Sequence, residues 1–326
     1  MTDDATVPPL RMVLVDEKAA LPQRFRALFS LKHIASLSPA TSNTIPAIHA
    51  MAAGLNSPSA LLKHEVAYCL GQSGKSEAVP FLREVLEDRG GDAMCRHEAA
   101  EALGALCDDG SLELLRQKRD DEREEEVVRE TCDLAIGRIE WMLSKEAKEE
   151  TLKKSDFVSI DPAPPLPASN SQPSIADLEQ TMRNTSLPLF HRYRAMFALR
   201  DLASPPDLPT AKPAVLALAN GFSDPSALFR HEIAFVFGQL SHPASIPSLV
   251  ETLGNRDEAA MVRHEAAEAL GSLGDEEGVE DVLRQYIDDP EQVVKESILV
   301  ALDMADFENM EQMEYATTPS MVEATA

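Results

Sequence analysis

SPSALLKHEVAYCLGQ (57–72) and DPSALFRHEIAFVFGQ (224–239) decide the fold, because they are one phrase written twice, 167 residues apart. The same shift lays RHEAAEALG (96–104) on an identical RHEAAEALG (263–271). The prolines follow it as well: Pro46 with Pro213, Pro58 with Pro225, Pro80 with Pro247. A proline in the first turn of a helix sacrifices only an N–H that has no partner there anyway. The pattern therefore predicts helices opening at these prolines, with Ser57 and Asp224 as N-caps. Gly71, Gly104, Gly238 and Gly271 are expected where those helices end.

A shorter period runs inside each half. One helix starts near a proline (AVPFLREVLED, 78–88; SIPSLVETLGN, 245–255), and the next carries His-Glu (MCRHEAAEALGAL, MVRHEAAEALGSL). Helix pairs repeating in this way predict an all-α chain, an α-solenoid of HEAT-like repeats with four pairs in each half. The second helices are expected over 22–36, 58–72, 93–107 and 124–143, then 188–203, 225–240, 260–273 and 290–305. The domain reading is an N-terminal half over 1–150, a linker over 151–175, a C-terminal half over 176–307 and a disordered tail over 308–326. Pro162, Pro164, Pro165, Pro167 and Pro173 make the linker an extended, semi-rigid tether that supplies no ligand.

Composition narrows the functions available. Of the residues, 44% are hydrophobic and only 5% aromatic, so alanine and leucine fill the apolar positions of close-packed helices. The net charge of −25 comes without any Lys- or Arg-rich run, which argues against a nucleic-acid partner. It suits a basic protein partner, whose approach long-range attraction would speed, but on charge alone it equally serves to keep a helical protein in solution. The start, MTDDATVPPLRMVLVDE, lacks the basic stretch and apolar run of a secretory signal, and no apolar run approaches the length of a membrane span. Cys69, Cys95, Cys107 and Cys132 form no CxxC pair and read as small buried thiols of a cytoplasmic protein.

His-Glu occurs four times, as His64-Glu65, His97-Glu98, His231-Glu232 and His264-Glu265, each preceded by Lys or Arg. Within a half the copies are 33 residues apart. Comparing repeats separates chemistry from fold. The first repeats carry Phe25-Arg26 and Tyr193-Arg194 at this place, and the last carry Glu130-Thr131 and Glu296-Ser297, inside the same apolar frame. The helix pair folds without His-Glu, so the four copies point to a joint site. Second helices of a solenoid stack about 8–10 Å apart, close enough for neighbouring imidazoles to converge. Glu101 and Glu268, four residues after His97 and His264, lie on the same helix face and are weaker candidates, as partners of an imidazole N–H or as solvated charges. His33, His49, His191 and His242 have no counterparts between halves and read as ordinary residues.

Imidazole and carboxylate without thiolate argue against a structural zinc site. Two histidines and one carboxylate per metal, with open positions, is a non-haem Fe(II) set. Six of the eight side chains would then hold two irons, and two glutamates would remain, to hydrogen-bond ligands or to meet a cationic substrate. The HExxH of zinc peptidases is absent, since Tyr68 and Glu101 occupy the fourth place after His64 and His97.

With LLKHEVAYCLGQ, RHEAAEALG, LFRHEIAFVFGQL and RHEAAEALGSLG at this spacing, the chain resembles the deoxyhypusine hydroxylase family over nearly its whole length. The resemblance implies an O2-dependent di-iron monooxygenase that hydroxylates the deoxyhypusine side chain on the precursor of translation initiation factor 5A. Carried over by position, it implies two Fe(II) ions held by His64, His97, Glu98, His231, His264 and Glu265. Glu65 and Glu232 would then meet the cationic side chain. Shared ligation is the expectation, His64 with His264 and Glu265, and His231 with His97 and Glu98. The rival reading is a metal-free HEAT-repeat scaffold or a bilin lyase-like binding protein, which explains the repeats and leaves the four-fold His-Glu without a purpose.

Overall fold

The structure, a computed structural model, describes residues 6–150, 156–167 and 173–309, and every regular element among them is helical. In chain order, α1 (Val7–Val15) pairs with α2 (Leu21–Ser36), α3 (Thr44–Ala52) with α4 (Ala60–Gln72), and α5 (Val79–Glu87) with α6 (Ala93–Ala105). Next, α7 (Leu112–Asp120) pairs with α8 (Glu126–Leu143), and the one-turn α9 (Glu146–Glu149) follows. The series resumes with α10 (Ile175–Arg183) and α11 (Leu189–Leu202), then α12 (Ala211–Ala219) and α13 (Ala227–Leu240). It closes with α14 (Ile246–Gly254) and α15 (Ala260–Gly271), then α16 (Val279–Arg284) and α17 (Gln292–Asn309). Two compact units part inside α8, between Ala135 and Ile136. The tail expected to be disordered lies, beyond Asn309, outside the described residues. No helix among those residues is long and apolar enough to cross a membrane.

First and second helices bury different faces. The first helix α5 sinks only a stripe, Leu82 and Leu86, as an amphipathic surface helix does. The second helix α6 buries every residue from Met94 to Ala105 except Glu101. Such a helix must be small on its neighbour-facing sides, and its alanines and glycine meet that need. Gly71 shows why: a Cβ there would stand 2.7 Å from the Cβ of Ala102 and 2.8 Å from its Cα. Gly104 against Ala135 and Gly271 against Ala301 are the same kind of contact. These glycines were expected as helix ends. They sit at or within two residues of those ends, as expected, and there they also let adjacent second helices touch; none of them has a positive φ.

The expected caps move by two residues. Ser59 and Ser226, not Ser57 and Asp224, cap α4 and α13, accepting from the backbone N–H of Leu62 at 3.0 Å and of Phe229 at 3.1 Å. Pro58 and Pro225 therefore precede the caps. Ser57 and Asp224 turn back to the preceding repeat instead. Ser57 accepts from Arg24 Nη2 at 3.1 Å, and Asp224 pairs with Arg192.

The described part of the proline-rich segment, 156–167, forms no regular element, and it is no free tether. Pro162, Ala163 and Pro164 are buried. On α11, Arg194 donates to the carbonyls of Pro164 and Pro165, each at 3.2 Å, and the Leu166 N–H donates back to the Arg194 carbonyl at 3.2 Å. Arg200, 0% exposed, pairs with Asp161 at 2.9 Å and lies 4.5 Å over the Phe157 ring. Gln239 on α13 donates to Ser159 Oγ at 2.8 Å. Two guanidiniums taken out of water need acceptors, and this segment supplies them.

Candidate metal centre

In the first unit α4 carries His64 and Glu65, and the adjacent α6 carries His97 and Glu98. The equivalent register of the two helices places the imidazoles beside each other, with ring centroids 5.3 Å apart and planes inclined by 42°. His64 Nε2 lies 3.3 Å from Glu98 Oε2. Ligand atoms of His64, His97 and Glu98 all fall within 4.8 Å of one another, and all three side chains are buried.

The second unit repeats this arrangement on α13 and α15. His231 and His264 have centroids 5.3 Å apart at 43°, and His231 Nε2 is 3.4 Å from Glu265 Oε2. His264 Nε2 also faces Glu265 Oε2, at 4.0 Å. Its other nitrogen, Nδ1, faces Glu268 Oε1 at 3.7 Å. His231, Glu232, His264 and Glu265 are buried here too, and Glu268 is half-buried.

Each unit by itself gathers two imidazoles and a carboxylate. Glu65 and Glu232, one residue after their histidines and so turned by about 100° around the helix, belong to neither cluster of potential ligand atoms. Both are buried all the same, at 7% and 2% exposure. Buried carboxylates outside a ligand set are costly unless something positive meets them.

The basic residue ahead of the His-Glu place has a role that the sequence reading noted without assigning. In several repeats this arginine caps the first helix of its own pair. Its Nε donates to the carbonyl ten residues earlier: Arg24 to Leu14 at 2.8 Å, Arg192 to Met182 at 2.8 Å, and Arg263 to Leu253 at 2.9 Å. The last carbonyls of a helix have no partner within it, and a guanidinium satisfies one while its fork remains free for an acid. For Arg263 that acid is Asp289, with two bonds of 3.1 and 2.6 Å. Burial alone would raise the Asp289 carboxyl, but the hydrogen bonds from Arg263 and the Glu291 N–H outweigh it and hold it below its ordinary value. Arg96 pairs likewise with Glu124 and Glu125. His97 and His264 thus follow residues that bolt their helices to the neighbouring repeat.

The remaining residues keep the modest roles expected of them. His49 packs edge-on against Phe81, and His242 Nδ1 accepts from the Ala244 N–H in a short turn. Burial pushes the thiols of Cys95 and Cys132 up to about 12, and Cys69 is raised by burial and then by the charge of Glu65. These are protonated thiols at neutral pH, not metal ligands.

The donor set fits an ion that takes both nitrogen and oxygen, such as ferrous iron. It consists of imidazole nitrogen and carboxylate oxygen: His64, His97 and Glu98 converge in the first unit, and His264, Glu265 and Glu268, with His231 beside Glu265, in the second.

The HEAT-repeat family model matches residues 48–136 and 213–303. Among curated proteins, the deoxyhypusine hydroxylase of Phaeosphaeria nodorum is 68% identical over 316 residues, 97% of this chain and 96% of that protein. That of Aspergillus oryzae is 65% identical, covering 97% of this chain and 93% of its own. Among solved structures, human deoxyhypusine hydroxylase in complex with glycerol is 42% identical with a TM-score of 0.80, over 92% of this chain and 96% of that one.

Proposed function

The chain belongs to the deoxyhypusine hydroxylase family, and from that premise we propose a di-iron monooxygenase acting on the precursor of translation initiation factor 5A. The enzyme hydroxylates deoxyhypusine to form hypusine. The observation that carries the metal reading is the pair of matched sets, His64, His97 and Glu98 in one unit and His231, His264 and Glu265 in the other. Two ferrous ions held by these six residues would supply the electrons and the open positions that O2 activation needs.

The protein's own part is to hold, orient and exclude. Burial of all four imidazoles keeps bulk water from the ring nitrogens. Glu98 and Glu265 complete the ligand sets. Glu65 and Glu232 keep negative charge beside them for the ammonium groups of the deoxyhypusine chain, which a desolvated pocket binds only if a carboxylate answers each one. The net charge of −25 favours encounter with a basic loop of the substrate protein, so the on-rate should fall as salt rises. Four free cysteines, three of them buried, suit the reducing cytosol. A metal-free scaffold would leave four buried imidazoles facing carboxylates without a purpose.

Iron analysis of freshly purified protein, beside turnover of a deoxyhypusine-bearing substrate protein, tests this reading. The expectation is about two irons per chain, with iron lowered and turnover abolished by replacing His64, His97, His231 or His264 with Ala. Unchanged iron in all four variants would overturn it.

A further inference from the structure

The imidazole of His264 stands between two carboxylates, one on each nitrogen. Glu265 Oε2 faces Nε2 at 4.0 Å, and Glu268 Oε1 faces Nδ1 at 3.7 Å. Ligand atoms of His264, Glu265 and Glu268 lie within 4.8 Å of one another, so either carboxylate is placed to ligate beside the imidazole. His231 decides which. Its Nε2 lies 3.4 Å from the same Glu265 oxygen, so the convergent side is the Nε2 side. Glu268 is left on the back of the ring, one helical turn along α15. It is itself held from outside that helix: Ser297 on α17, fully buried, donates its hydroxyl to Glu268 Oε1 at 3.2 Å.

We propose that Ser297 and Glu268 form a positioning relay for His264, in which Glu268 accepts the Nδ1–H and so presents Nε2 to the metal. Neutral imidazole carries one proton, and an acceptor at Nδ1 fixes the tautomer whose lone pair is on Nε2. The distance of 3.7 Å is about half an ångström longer than a hydrogen bond, a gap that a small turn of the ring closes. Partners of this kind orient metal-bound histidines and raise their basicity. The first unit lacks the outer member of the relay. Thr131 occupies the place of Ser297, and its hydroxyl donates to the Val127 carbonyl of its own helix at 2.7 Å. The relay belongs to the second half.

This inference rests on the di-iron reading, and the experiment separates the two. The full-length chain is loaded with ferrous iron and challenged with a graded chelator, and retained iron is counted. The visible spectrum of the Co(II)-substituted protein reports the ligand field independently of turnover. Glu268→Ala should weaken one of the two irons about 10–100-fold and shift the Co(II) bands. Ser297→Ala should do the same to a smaller extent. Glu268→Gln, whose amide oxygen still accepts from Nδ1, should keep both irons. Thr131→Val should match the wild type. Loss of iron in Glu268→Gln as complete as in Glu268→Ala would make Glu268 a ligand and overturn the relay. So would a Glu268→Ala protein with unchanged retention and spectrum. A wild-type chain that took up no iron would overturn the metal reading and the relay with it.

Discussion

His64 and His97 in the first half, and His231 and His264 in the second, have the same 5.3 Å ring separation and inclinations of 42° and 43°. The helices that carry them are packed differently. A Cβ on Gly71 would meet Ala102 at 2.7 Å, whereas one on Gly238 would meet Ala269 no closer than 3.5 Å. The wider contact goes with bulkier residues, since α13 has Phe229 and Phe237 where α4 has Leu62 and Leu70. The second half also carries the docked segment on Arg194 and Arg200. The comparison teaches that the placement of the paired imidazoles comes from equivalent positions on stacked helices and tolerates different fillings between them.

The largest expected effect tests what the halves share. Arg263→Met should destabilise the fold by about 3–5 kcal/mol, because it strands a buried carboxylate, the Asp289 side chain being 0% exposed; Arg96→Met should cost less, since Lys118 stays 3.3 Å from Glu124. Urea unfolding measures it, and a loss confined to one half would break the equivalence. The Asp289 arm has a pH signature. Its folded-state value is depressed, so its contribution is present above the ordinary carboxylate range and is lost as pH falls through the lowered value. The stability gap between wild type and Asp289→Asn should therefore shrink on acidification. A gap that stayed constant down to strongly acid pH would contradict the assignment.

Next comes the difference between the halves. Gly71→Ala should cost about 1–3 kcal/mol by overpacking against Ala102. Gly238→Ala, with ordinary contact distances, should stabilise by about 0.5–1 kcal/mol through helix propensity. Equal thermal shifts for the two variants would remove the packing difference. The smallest effect concerns the docked segment. Asp161→Ala should lower stability by about 1.5 kcal/mol, since Arg200 keeps Asp201 and Gln239 as partners. Proteolysis within the segment should quicken alongside. A segment that is cut as fast in the wild type as in the variant would be a tether after all.

The helix pairs and the eight side chains of the His-Glu places were legible in the sequence because periodicity and repetition are local signals. Phe25-Arg26 and Glu296-Ser297 stand at the same place of other repeats, which marks His-Glu as an addition to the apolar frame. What escaped reading depends on partners distant in the chain. Ser57 and Ser59 flank the same proline and are equally good caps on paper; Arg24, 33 residues away, claims the first and leaves the cap to the second. The glycines marked the helix ends correctly, but their close approach to Ala102 or Ala301 has no local signature. The composition of the proline-rich segment shows that it is not helical, but not the buried arginines it answers. Ser297 looked like a position where the motif had lapsed, and only the packing of α17 on α15 turns its hydroxyl to Glu268.

The central claim is a division of labour among four buried glutamates, and iron stoichiometry measured beside substrate binding in four single variants tests it most directly. Glu98→Ala and Glu265→Ala should lose iron. Glu65→Ala and Glu232→Ala should keep about two irons per chain and bind the deoxyhypusine-bearing protein poorly. A Glu65→Ala protein emptied of iron, beside a Glu98→Ala protein that retains it, would contradict the account.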